Sequence, residues 1–159
     1  MGGVQSRLLG DVGAALRDAL GVPARSGPSL ERPQYAFNKD RGQFHTAAIL
    51  RRLGSFRASG APVLAVADFD LFVPDAPFVF GDADRDAGTA LFSLARLGHA
   101  DADKVRRRAQ VEAVHEMGHL LGLSHCVDWR CAMFLTRDPA DSDRKGPGLC
   151  ANCRAALGV

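Results

Sequence analysis

Apolar residues recur along this chain at helical spacing, then in short runs, then along a second long helix, and finally thin into a polar tail. Val4, Leu8, Leu9, Val12, Leu16, Ala19 and Leu20 form one stripe, which predicts a helix over 4–20. The glycine- and proline-rich stretch "GVPARSGPSLERP" reads as a connection with at most a short edge strand. Asn38 or Asp40 is placed to cap a second helix through "QFHTAAILRRLG", closed by Gly54. Val63–Ala67 is a short β-rich apolar run that suits a buried parallel strand. Phe78, Val79 and Phe80 predict another short strand, ahead of a polar turn in "GDADRDAG". "TALFSLARLG" fits either period, and its length between two turns favours a strand. Asp101 or Asp103 caps a long helix over about 104–121, which Gly122 ends. From Cys126 onward the pattern is loop, with a short final helix after Cys150.

Helices that alternate with strands and lead into a loop-rich tail predict an α+β fold, a small twisted mixed sheet packed on helices. The 159 residues suit a single domain over 1–159. Its upper part, about 1–122, carries the sheet and the long helix, and its lower part, about 123–159, carries the tail. The tail is too polar to build its own core, so it needs another source of order. No apolar run approaches membrane-spanning length. A net charge of +2 is too small to imply nucleic acid or an anionic membrane as partner. The first twenty residues lack the pattern of a secretory signal, so the expectation is a cytoplasmic protein; a monomer is also expected. Met1, Gly2 and Ser6 fit the short N-myristoylation pattern, against which stands a plain glycine-rich entry to a helix.

The chemistry concentrates in "HEMGHLLGLSHC". On a helix His115 and His119 lie four apart, so both imidazoles share a face and can bind one metal ion. Glu116 is one position along, able to touch water on that metal without ligating it. This H-E-x-x-H order is a zinc peptidase signature, in which zinc acidifies water and the glutamate takes its proton. Gly122 can turn the chain sharply and bring His125 back to the same metal, leaving a fourth position open. For the isolated His45 and His99 an ordinary structural role is the better reading.

Cys126 and Cys131 are followed, after eighteen residues, by Cys150 and Cys153. The spacings fit two knuckles closing on one tetrahedral, structural zinc, whose binding would supply the order the tail lacks. Two disulfides are the competing arrangement, disfavoured in a reducing compartment.

With these residues together, the chain resembles the archaemetzincins, zinc metallopeptidases of the metzincin clan. The likeness rests on the three histidines, Cys126, Cys131, Met133 in "CAMFL" and the Cys150/Cys153 pair, and extends through "RGQFHTAAIL" and "FVFGDA". It implies a metzincin-like domain with two zinc ions, one catalytic at His115, His119 and His125 and one structural at the four cysteines. It implies a methionine turn in which Met133 forms a hydrophobic floor beneath the catalytic metal. It also implies that Phe78, Val79 and Phe80 belong to an edge strand that pairs with an extended peptide or protein substrate. Such domains usually open with a strand, whereas this chain opens almost directly into its first helix. No tyrosine follows Met133; Tyr35 is the only one in the chain.

Two other patterns read as structure. Asp82, Asp84 and Asp86 resemble the start of a calcium loop, but Gly88 and Ser93 fall at the wrong positions, leaving a solvated turn. Lys104 and Arg106–Arg108 read as a charged solvent face. The function expected is peptide-bond hydrolysis with Glu116 as general base. The alternative is a zinc-stabilised module that binds peptides with little or no cleavage.

Overall fold

The structure is a computed structural model that describes Met1, residues 4–58 and residues 60–158. Gly2, on which the acylation pattern turns, lies outside the described residues. Helix α1 (Ser6–Leu20) buries Val12, Ala15, Leu16 and Leu20 and stops where Gly21 turns left-handed at φ 68°. A 3-10 turn then leads into two short strands, β1 (Phe37–Asn38) and β2 (Gln43–His45), and helix α2 (Thr46–Leu53) follows.

The capping expected of Asn38 or Asp40 is not what occurs. Asn38 closes the β1–β2 hairpin by accepting from the backbone N–H of Arg41 at 3.1 Å. Helix α2 begins only after His45 and has no side-chain cap. Residues Gln43–His45 are drawn out of the helical pattern because they pair in parallel with β4 (Leu71–Phe72). Gly54 stays right-handed at φ −54°, and the chain runs on into another 3-10 turn.

The main sheet has the order β3 (Val63–Ala67), β6 (Thr89–Ser93), β5 (Gly81–Asp84). β6 pairs in parallel with β3 and antiparallel with β5. All five residues of β6 are buried, as a central strand covered on both faces requires. Alternate residues feed two clusters. Val66 and Phe92 pack with α1 and α3 (Ala102–Leu120), whereas Ala65, Ala67 and Leu91 pack with α2. Among the described residues the expected small mixed sheet is divided into two, β1–β2–β4 and β3–β6–β5.

The strand expected at Phe78–Phe80 is displaced. Val79 makes one antiparallel bridge to Leu71, and the regular strand begins at Gly81. The first half of the expected polar turn is the strand, and its second half, 85–88, is the hairpin turn that sets the register, with Gly88 at φ 64°. Asp84 tightens that hairpin by accepting from Ala87 N–H at 2.9 Å. Acidic residues suit an edge strand, where a bare apolar edge would invite further pairing.

Asp101 caps α3 by accepting from Asp103 N–H at 2.8 Å. The helix is buried nearly continuously from Arg108 to Gly118. Arg108 is therefore not part of a solvent face. It forms a bidentate pair with Asp143, at 2.8 and 2.7 Å, and donates to the carbonyls of Leu97 and Gly98.

The tail is better anchored than its polarity suggests. Cys131, Ala132, Met133, Leu149 and Cys153 join the cluster built on α1 and α3. A helix not anticipated, α4 (Pro139–Arg144), starts on a capping box between Asp138 and Asp141 with proline in its first turn. The final helix, α5 (Ala151–Leu157), begins directly after Cys150. Among the described residues, no helix is long and apolar enough to cross a membrane.

Candidate metal centre and catalytic cleft

The last two turns of α3 carry His115 and Glu116, both buried, and His119, half-buried. Beyond Leu120 the chain reverses at Gly122, whose φ of 101° is the left-handed conformation that glycine permits. The return brings His125 back beside the helix, with its ring 5.2 Å from that of His115 and 4.8 Å from that of His119. One ligating atom from each of the three lies within 4.8 Å of the others.

The hydrogen bonds fix which nitrogen of two rings is free. His115 Nδ1 is 2.8 Å from the carbonyl of Ala132, and His119 Nδ1 is 2.8 Å from the carbonyl of Leu123. A carbonyl only accepts, so each Nδ1 carries a proton, and a ring in its neutral form then leaves Nε2 bare. Those two nitrogens sit 3.1 Å apart. Two lone pairs held so close call for a cation between them, and a neutral imidazole set suits zinc. Burial pushes His115 down to about 3, against the bond to Ala132, so it stays unprotonated at any ordinary pH. Burial lowers His125 as well, and the neighbouring His119 adds to that.

Glu116 is pushed well above the usual carboxylate range by burial, with Glu112 and Asp82 adding like charge. Its carboxyl lies against Gly81 of β5. A Cβ there would overlap Oε1 and come within 2.7 Å of Cδ and Cγ. Gly118 plays the matching part on the other side of the helix, where a Cβ would overlap Met133 Sδ and lie 3.2 Å from its Cε. Met133 is fully buried there.

A cleft of about 510 Å³ separates two walls. One is the segment 76–83, which includes Phe78, Val79, Phe80 and Gly81; the other is α3 with His125 and the segment 135–137. Phe80 is buried in the core, while Phe78 stands edge-on to it and is covered by Arg96 at 4.0 Å. The open edge of β5 flanks this cleft.

The four cysteines form a second cluster, with one sulfur from each lying within 4.8 Å of the rest. All are free thiols, with Cys126 and Cys150 sulfurs 3.7 Å apart, so no disulfide is formed. Backbone N–H groups of Asp128 and Cys150 donate to Cys126 and Cys131 sulfurs, each at 3.4 Å. The Cys153 N–H lowers Cys150 to about 7, whereas burial raises Cys131 and Cys153. Four sulfurs with donors to spare fit a tetrahedral zinc.

The two isolated histidines stand apart from both clusters. His45 stacks on Phe72, and His99 Nδ1 accepts from Asp101 N–H at 2.9 Å. Sequence reasoning passed over Gly81, Glu112, Thr136 and Lys145. Only Glu112, one turn before Glu116 on the helical pattern, carried a usable signal.

The sequence model of peptidase family M54 matches residues 23–158. The chain belongs to that family. It is thus a zinc metallopeptidase of the archaemetzincin kind. It is 38% identical over 136 residues to the archaemetzincin of Methanocaldococcus jannaschii, covering 82% of this chain and 74% of that one. The crystal structure of archaemetzincin from Methanopyrus kandleri superimposes with a TM-score of 0.90 at 31% identity, over 96% of this chain and 85% of that one. A zinc-dependent peptidase from Methanocorpusculum labreanum gives a TM-score of 0.88 at 29% identity, over 97% and 95% of the two chains. The metzincin-like α+β fold implied by the histidine and cysteine motif is therefore the fold this chain has.

Proposed function

We propose that this M54 peptidase hydrolyses peptide bonds with one zinc ion held by His115, His119 and His125 and with Glu116 as general base. A second, structural zinc ion is assigned to Cys126, Cys131, Cys150 and Cys153. The observation that carries the first assignment is the pair of bare Nε2 atoms 3.1 Å apart beside a buried glutamate in the same cleft.

When bound, zinc supplies a Lewis acid that acidifies water and polarises a carbonyl oxygen. Everything else falls to the chain. Ala132 and Leu123 hold the His115 and His119 rings so that Nε2 of each faces the metal position. Glu116 accepts the proton of the attacking water and returns it to the departing amine. Its raised affinity for protons, caused by burial, suits both halves of that task. Met133 fills the space under α3 that Gly118 leaves open, and so supports the ring positions from below. The free edge of β5 and the preceding Phe78, Val79 and Phe80 bind the substrate in extended form through backbone pairing, which carries little sequence dependence. Four cysteines placed for zinc rather than linked as disulfides suit a reducing compartment, in keeping with a cytoplasmic protein.

The test is cleavage of a broad peptide library by the purified chain. Chelation should abolish the cleavage and added zinc should restore it, with two zinc ions per chain in the active protein. Peptide binding without any zinc-restored cleavage would replace this reading with that of a binding module.

A further inference from the structure

Lys145 has no exposed surface, and Glu112 is 1% exposed. The lysine sits at the end of α4 and donates three hydrogen bonds: to Ala132 O at 3.2 Å, Phe134 O at 2.6 Å and Thr136 Oγ1 at 2.6 Å. That uses every donor an ammonium has. The Thr136 hydroxyl donates onward to Glu112 Oε1 at 2.9 Å, and Ser142 donates to the same oxygen at 2.8 Å. A buried lysine and a buried glutamate are thus joined through one hydroxyl, and the segment 132–136 is strapped between them.

Ala132 O is the point of contact with the metal centre, because it also accepts the hydrogen bond of His115 Nδ1. Glu112 lies on α3 three residues before His115. The strap therefore fixes both the helix that carries His115 and the carbonyl that orients its ring. Stability alone gives a weak reason for such a network, since a buried ion pair replaced by apolar groups of similar size often leaves a protein as stable as before. What charged, directional bonds add is a defined position for the carbonyl they hold.

We propose that Lys145, with Glu112 and Thr136, is a positioning residue for the zinc ligand His115, acting through the carbonyl of Ala132. The inference rests on His115 being a zinc ligand, as proposed above. Lys145 touches neither the reacting atoms nor the metal position; it sets the direction of the carbonyl to which the ligand is tethered.

Two variants test it, Glu112→Gln/Lys145→Met and Thr136→Val. The first removes both charges at nearly constant volume, so no buried charge is left alone. The second cuts only the hydroxyl link and keeps the shape. Three quantities are measured: zinc affinity of the histidine site by chelator competition, the visible spectrum of cobalt placed there, and the melting temperature with only the cysteine site loaded. Zinc affinity should fall about tenfold or more in the double variant, as for lost partners behind metal ligands, and by less in Thr136→Val. The cobalt spectrum should change in both, and the melting temperature should stay close to wild type. Wild-type affinity and spectrum in both variants would overturn the proposal. So would affinity lost only in step with melting temperature, or a double variant that fails to fold beside a Thr136→Val of wild-type affinity. A wild type that binds zinc at its cysteines alone would instead sink the functional reading beneath it.

Discussion

Met133 packs its thioether directly onto the backbone of Gly118, the residue before His119, with no room for a methyl group between them. The glycine inside "HEMGH" is thereby explained. It lets the segment after Cys131 approach the active-site helix closely enough for Ala132 to reach His115.

Gly118→Ala should therefore destabilise the protein. Overpacking costs about 1–3 kcal/mol, against a gain in helix propensity of just under about 1 kcal/mol. A net loss of up to about 2 kcal/mol in denaturant unfolding is the expected result. A stabilised variant would mean that Met133 has another place to go.

Gly81→Ala acts on the other wall. The added methyl meets the end of the Glu116 side chain rather than backbone, so the fold should survive while the carboxyl moves. Small displacements of a reacting group can cost about a hundredfold in rate. The kcat/KM for any peptide cleaved should fall by about tenfold or more, with zinc content unchanged. A variant as active as wild type would show that Glu116 has slack the cleft does not suggest.

The histidine motif was legible in the sequence because it is local, and the cysteines because each pair has the spacing of a zinc knuckle. Helical spacing and a single left-handed glycine determine where His115, His119 and His125 go. The strap made by Lys145, Thr136 and Glu112 was not legible, since it joins residues up to 33 positions apart through contacts that no period encodes. The strand placed at Phe78–Phe80 erred for a related reason. Hydrophobicity marks burial, and Phe80 is buried, but pairing is decided by the hairpin at Gly88, which draws the aspartates into the ladder. Arg108 looked like surface charge because its partner Asp143 lies on a helix with few apolar residues. The capping box at Asp138 and Asp141 was visible in "DPAD" and went unread.

Arg108 holds Asp143 below the usual carboxylate range, chiefly through their hydrogen bonds. A carboxylate with a depressed folded-state pKa contributes stability above its unfolded value, near pH 4, and loses it as pH falls through the folded value. Asp143→Asn should cost about 2 kcal/mol at pH 7, and the difference from wild type should shrink as pH falls through the folded value. Parallel acid limbs in the two stability–pH curves would contradict the pairing.

Cys150→Ser together with Cys153→Ser removes half of the second cluster. Protection from proteolysis should drop from about Asp128 onward before the main sheet unfolds, and one zinc per chain should be lost. Because Cys131 and Met133 also pack into the core, residues 131–133 should loosen last. Unchanged protection would assign the order of the tail to packing alone.

The central claim is that Glu116 moves the proton in a zinc-dependent hydrolysis. The most direct measurement is the rate of peptide cleavage by Glu116→Gln beside wild type, with zinc content and melting temperature determined on the same preparations. Glutamine keeps the size and the fit against Gly81 but cannot accept the proton. The account predicts two zinc ions, an unchanged melting temperature, and a rate lower by about 10²–10⁴-fold. Cleavage by the variant at the wild-type rate, sensitive to chelation and restored by zinc, would contradict it.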